Sequence, residues 1–266
     1  MLFFKNQAEA QAMGALRVLA SRSRGWRGGT MQEMRGEVGR GRLSQRRETV
    51  DEIERSCIDC TIAGCARPGT KCPDFCDAAG ITQDEREAFV ELYQGEDLKV
   101  MQAATETGAV TGREGLCRVE EVMEFARRMG FSKIGIATCG ALQREAVSAA
   151  KVFRLHGFEV FGASCKFGSV PCGEFHCSEE AQVSAEAIAC NPIVQAQRLN
   201  EAGTQLNVII GLCVGHDSLF MRHSDAICTS LVTKDRALCN NPAAALQYCD
   251  MPPFRVSRMM QPDTPA

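Results

Sequence analysis

Between residues 131 and 250 the chain repeats one pattern, a short branched apolar run followed by an amphipathic helical stretch. The apolar runs are FSKIGIATCG (131–140), FEVFGASCK (158–166), LNVIIGLC (206–213) and AICTSLVTKD (226–235). Runs that are apolar on both faces need cover on both sides, which hairpin strands at a surface do not have. Separated by helices, they predict an α/β fold: a parallel sheet of four strands, or slightly more, covered by helices on both faces and joined by right-handed crossovers.

The intervening segments carry helix signals. In ALQREAVSAAKVFRLHG, Leu142, Ala146, Ala149 and Phe153 fall on one stripe and Gly157 stops the helix. In NPIVQAQRLNEAG, Asn191 is an N-cap, Pro192 stands where a missing N–H costs nothing, and Gly203 ends the run. RVEEVMEFARRMG turns Val119, Val122, Met123, Phe125 and Ala126 inward and ends at Gly130. Upstream, DEREAFVELYQ and EDLKVMQAATETGA also read as helical. A short helix is expected from Asp217, and NNPAAALQYC repeats the Asn-Pro start.

With 266 residues the chain is long enough for one sizeable core without disulfides. Its 45% apolar and 24% charged residues are ordinary for a globular protein, and no stretch approaches the roughly 18 apolar residues of a membrane span. A net charge of −3 and 6% aromatic residues argue against nucleic acid as a partner. The anomaly is 15 cysteines. An odd count without an N-terminal signal-peptide core points to reduced thiols in a cytoplasm rather than a disulfide framework.

The cysteines and charges divide the chain. Residues 1–50 hold ten Lys or Arg against four Asp or Glu in Gly- and Arg-rich stretches, and read as a disordered basic leader, a targeting segment, or sequence upstream of a true start at Met31 or Met34. Residues 51–80 form a cysteine-rich knot, 81–250 the α/β domain with its helical lead-in, and 251–266 a tail.

The knot carries the most specific motif. Cys57, Cys60, Cys65, Cys72 and Cys76 crowd into twenty positions of polar sequence, too dense and too polar for core packing. Such a segment needs a cross-link to hold a fold, and a metal is the natural one. Four of the five (Cys57, Cys60, Cys65 and one of Cys72 or Cys76) would make a tetrathiolate site for zinc or an iron–sulfur cluster, although the spacing departs from that of ferredoxins.

A second group of thiols falls at the carboxyl ends of the strands, where open parallel sheets bind their ligands. Cys139, Cys165 and Cys213 end three of the four runs, and Cys190 and Cys239 each precede an Asn-Pro helix start, where unpaired N–H groups favour a thiolate. Cys139, Cys165, Cys190 and Cys213 are therefore candidate cofactor ligands, with Cys172 or Cys239 as substitutes. The loop 166–178 adds His176 and Cys177, and Lys166 is either an anion-holding group or a solvated lysine. Cys213 and His216 form a CxxH pair, either two metal ligands or a nucleophile and its base; Asp217 orients the ring or caps the helix.

The segments CxxCxxxxC, KIGIATC, CNPIVQA, NEAGTQLNVIIGLCVGHDSLF and VTKDRALCNNPAAAL resemble, over residues 55 to 250, an uncharacterised prokaryotic cysteine-rich family, a domain of unknown function whose members are often labelled metal-binding proteins. The resemblance implies metal binding in a largely anaerobic setting, which favours iron–sulfur over zinc. Three functions follow. The first is a cytoplasmic iron–sulfur protein with redox or cluster-dependent chemistry at the sheet edge, served by a redox partner protein. The second is a thiol enzyme with a structural zinc knot, using Cys213 or Cys190 as nucleophile and His216 as base. The third is a non-catalytic metal carrier or sensor.

Overall fold

The computed structural model describes residues 55–67, 69–177, 183–251 and 255–261. The basic leader 1–50 lies outside the described residues, as do 252–254 and 262–266 of the tail. The described residues fall into two compact units, 55–98 and 99–261.

In the first unit, single turns of 3₁₀ helix at Cys57–Asp59, Gly64–Ala66 and Asp77–Gly80 precede helix α1, Gln83–Glu91. A capping box starts α1: the Thr82 hydroxyl accepts from the Glu85 N–H while the Glu85 carboxylate accepts from the Thr82 N–H. Helix α2, Gly95–Glu114, leads into the second unit.

The second unit runs α3 (Arg118–Met129), β1 (Lys133–Thr138), α4 (Gln143–Leu155), β2 (Glu159–Ser164), α5 (Pro192–Glu201), β3 (Leu206–Ile210), α6 (His216–His223), β4 (Ile227–Val232) and α7 (Ala243–Gln247). All strand pairs are parallel, in the order β2-β1-β3-β4. The chain thus steps one way from β1 to β2 and back the other way from β2 to β3. With right-handed crossovers this reversal puts α4 on one face and α5 and α6 on the other. The side chains agree: α4 meets the face of Ile136 and Thr138, while Leu199 of α5 reaches the opposite face at Gly135. The central strands β1 and β3 are buried almost throughout, and the edge strands β2 and β4 are mostly half-exposed because each has a neighbour on one side only.

Leu142, Ala146, Ala149 and Phe153 are all buried, as their stripe predicts, and Phe153 is wholly so. Asn191 caps α5 by accepting from the Val194 N–H, Pro192 is its first residue, and Gly130, Gly157 and Gly203 adopt the left-handed backbone that ends helices. Val122, Met123 and Ala126 of α3 are buried, whereas Val119 and Phe125 are half-exposed at the core margin.

Two predicted helix starts are corrected. Gly215 is the N-cap of α6; Asp217 lies inside the first turn, where its carboxylate accepts from the Ser218 N–H. Helix α7 begins after Pro242 with no side-chain cap, so Asn241 does not cap it as Asn191 caps α5; the neighbouring Asn240 closes the preceding loop, its amide oxygen accepting from the Asp235 N–H and its own N–H donating to the Asp235 carbonyl.

Candidate functional site

The five knot cysteines line one cavity of about 150 Å³. The thiols sense each other: a hydrogen bond with Cys76, burial, and the charges of Cys76, Cys65 and Cys60 all push the Cys72 thiol up from its ordinary value. Gly64 leaves room for this approach, since a Cβ there would stand 3.2 Å from the Cys72 sulfur. Among the described residues 55–98 only Gly64 is buried; Ile58, Phe89, Val90 and Leu92 are exposed. This segment therefore lacks an apolar core to hold the thiols together. Among the described residues no three Cys, His, Asp or Glu side chains already stand as a metal-binding group. Closing round an ion would require the knot thiols to turn about their single side-chain torsion.

At the sheet, the reversal of strand order places the ligand crevice between the carboxyl ends of β1 and β3. Cys139 follows β1 directly and Cys165 follows β2 directly, and both are buried. Cys213 lies three residues beyond β3 rather than on its end, because Gly211, at φ +66°, turns the chain out of the sheet. The Cys165 N–H donates to the Thr138 carbonyl and its carbonyl accepts from the Asn191 N–H, so the two strand ends and the start of α5 are tied together. Gln195 of α5, with no exposed surface, reinforces the tie: its amide nitrogen donates to both the Thr138 and Ala163 carbonyls.

The thiols of Cys139, Cys165 and Cys190 form a chain of contacts in which Cys165 is the middle member. The Cys165 sulfur accepts from the Gly140 N–H at 3.4 Å. Burial pushes the Cys165 thiol up to about 11, helped by the neighbouring Cys190 and Cys139 charges and opposed by the Gly140 N–H. Burial also pushes Cys139 upward, but this is outweighed by the Lys234 ammonium hydrogen-bonded to its sulfur, the Ala141 N–H, the Lys234 charge and Cys165, so its thiol titrates below the ordinary value. Cys139 thus gives up its proton more readily than Cys165.

The cations come from the loop after β4. Asp235 accepts from the Ala237 and Leu238 N–H groups, and its paired hydrogen bonds with Asn240 close the loop. The closed loop delivers Lys234 to Cys139 and Arg236 to Cys213, whose sulfur accepts from the guanidinium at 3.4 Å. Neither cation was singled out from sequence as a partner of the thiols. The signal was there in TKDRALCNN, a Lys and an Arg flanking a turn-forming Asp.

The remaining candidates are not brought to the cluster by any hydrogen bond among the described residues. Cys239 is exposed in left-handed backbone, and Cys177 is exposed in the 166–178 loop beside His176. Cys172 bonds through its backbone to Ala187, and the Lys166 ammonium is bonded to the Ile188 carbonyl. His216 is half-buried; its backbone N–H donates to the Cys213 carbonyl, but its ring Nδ1 is buried without a partner, and among the described residues the ring makes no hydrogen bond to Cys213 or Asp217.

Because the Cys165 value in the fold lies above the ordinary 9.0, its contribution to stability is whole below pH 9.0 and is lost as the pH climbs through about 11. Urea titrations across that range should show stability falling, with a shallower fall in Cys165→Ala. Lys234→Gln removes the cation that favours the Cys139 thiolate, so alkylation of Cys139 at neutral pH, followed by peptide mass spectrometry, should slow several-fold.

Fold and site together define a cysteine-rich α/β protein with a parallel sheet whose carboxyl rim carries clustered thiols. The chain belongs to the family described as "Protein of unknown function (DUF1847)", whose model matches residues 76–231. That match begins at Cys76 and so leaves Cys57–Cys72 outside it. The chain is 40% identical over 165 residues to "Uncharacterized protein MJ0455" of Methanocaldococcus jannaschii, an alignment covering 62% of this chain and 84% of that one. No solved structure matches the chain. Among the described residues no helix is long and apolar enough to cross a membrane.

Proposed function

We propose that the chain is a cysteine-rich metal protein: the knot holds a thiolate-ligated metal, an iron–sulfur cluster or zinc, and the sheet rim carries out thiol-based redox chemistry. The observation that carries the metal reading is five thiols round one cavity in a segment whose described residues bury only Gly64. Without an apolar core, what holds such a fold is a ligand that all its thiols share. Cys60, Cys65 and Cys76, whose charges act on Cys72, fit with it as a tetrathiolate set, with Cys57 as a fifth thiol on the same cavity. Mutually repelling thiolates are a suitable donor set for a soft or borderline cation.

The rim reads differently. Cys139, Cys165, Cys190 and Cys213 were candidate ligands, but a lysine ammonium bonded to the Cys139 sulfur and an arginine on Cys213 already supply the positive charge that a metal would bring. A cation-stabilised thiolate beside a protonated thiol suits sulfur redox chemistry. Reduced thiols at both places fit a reducing cytoplasm.

Metal analysis with visible and paramagnetic spectroscopy on protein purified without air tests the first half. Iron with sulfide and a brown colour identifies a cluster; stoichiometric zinc in a colourless protein identifies the zinc form. Protein that is folded and metal-free would overturn the proposal.

A further inference from the structure

We propose that Cys139 and Cys165 form a redox-active dithiol that exchanges with small disulfides at the carboxyl ends of β1 and β2, Cys139 attacking and Cys165 resolving. The inference rests on reading the rim as a thiol redox site, and it names the pair and the substrate class.

The register carries it. Thr138 of β1 pairs with Ser164 of β2, so Cys139 and Cys165 are the next residues on adjacent parallel strands, and the Cys165 N–H bond to the Thr138 carbonyl continues the ladder there. Neighbouring strands lie about 4.8 Å apart, within the roughly 4.4–6.8 Å between Cα atoms that a disulfide spans. Residues paired in this way project to the same face, and the sulfurs are in contact. The roles follow from the surroundings. The Lys234 ammonium stands on the Cys139 sulfur and favours its anion, whereas the Cys165 sulfur accepts from the Gly140 N–H and, among the described residues, is hydrogen-bonded to no cation. Burial sets the substrate class: Cys139 is 7% and Cys165 3% exposed, so a small disulfide that slips beside the half-buried Lys234 can reach them and a folded protein's disulfide cannot.

The Cys139 thiolate attacks one sulfur of a disulfide RSSR. The substrate S–S bond breaks, a mixed disulfide forms on Cys139, and RS⁻ leaves and takes up a proton. Cys165 then gives its proton to solvent and attacks the Cys139 sulfur; the mixed S–S bond breaks and the second RS⁻ leaves. Two electrons pass from the dithiol to the substrate. With the proton Cys139 had already released, the products are two RSH and one Cys139–Cys165 disulfide. A small thiol running the steps in reverse restores the dithiol.

The test uses the full chain, reduced under argon, mixed with oxidised glutathione, quenched by alkylation and read by peptide mass spectrometry. A Cys139–Cys165 cross-link is expected in the wild type and in Cys190→Ser. Cys165→Ser, or Cys165→Ala should the serine variant fail to fold, should trap glutathione on Cys139, and Cys139→Ser should lose the exchange. A Cys165–Cys190 cross-link, or first modification at another cysteine, would overturn the pair. Absence of any cross-link while Cys139 remains the fastest-alkylated thiol would overturn the dithiol but leave the rim reading standing. Cys139 alkylated no faster than the exposed cysteines would overturn both.

Discussion

Gly135→Ala is expected to destabilise the α/β unit by about 3–5 kcal/mol, the sum of an overpacked core and buried hydrogen bonds displaced. A Cβ at this position would stand 2.0 Å from Oδ1 of Asn207 and 3.1 Å from Cδ1 of Leu199. Asn207 has no exposed surface and no room to retreat: its Oδ1 accepts from the Thr204 hydroxyl at 2.8 Å, and its Nδ2 donates to the Ser224 hydroxyl at 2.7 Å. These bonds tie the start of β3 to the turn before β4, so moving Asn207 disturbs the sheet as well as the side chain. Against a total stability of roughly 5–15 kcal/mol, the loss is large enough to show as a marked fall in the urea midpoint. Asn207→Ala in the same chain should recover part of it by vacating the space, giving a non-additive double-mutant cycle. A Gly135→Ala variant as stable as wild type would contradict the packing described here.

The second large effect concerns the knot. Stripping the metal by anaerobic chelation should abolish amide protection across residues 57–80 and leave strands β1 and β3 protected. The reason is the difference in burial: Ile134, Ile136, Val208, Ile209 and Ile210 lie in a continuous core, whereas the described part of 55–98 buries only Gly64. Without metal, apposed thiolates repel and nothing apolar replaces the lost link. Hydrogen exchange with mass spectrometry reads the outcome directly, and protection in the knot unchanged by chelation would contradict a metal-held segment.

Much of the α/β unit could be read from residues, because its signals are local. The stripe of Leu142, Ala146, Ala149 and Phe153, the Asn191-Pro192 start and the glycine stops each depend on neighbours within a few positions. Strand order and register could not be read this way, since they depend on pairings between residues distant in sequence, such as Thr138 with Ser164 and with Ile210. The site divides along the same line. That Cys139 and Cys165 share a rim was legible from their position after apolar runs, as was the approach of Cys190 from the start of α5. The Lys234 and Arg236 contacts were not, because a charge after an edge strand reads as solvated until the Asp235–Asn240 closure turns the loop back over the sheet. The Asn-Pro motif misled at residue 241 because it was assigned a capping role, while the neighbouring Asn240 closed the loop. His216 lies beside Cys213 and its N–H bonds the Cys213 carbonyl, but proximity in sequence does not bring its ring into a hydrogen bond with Cys213 or Asp217 among the described residues.

The central claim is that the thiols serve two separate ends, metal in the knot and redox chemistry at the rim. Native mass spectrometry of the full chain purified without air tests it most directly, comparing wild type with Cys60→Ser, Cys65→Ser, Cys139→Ser and Cys165→Ser. One metal centre should be present in the wild type, lost in the two knot variants and retained in the two rim variants. Metal that persists without Cys60 or Cys65, or disappears without Cys139 or Cys165, would contradict the division.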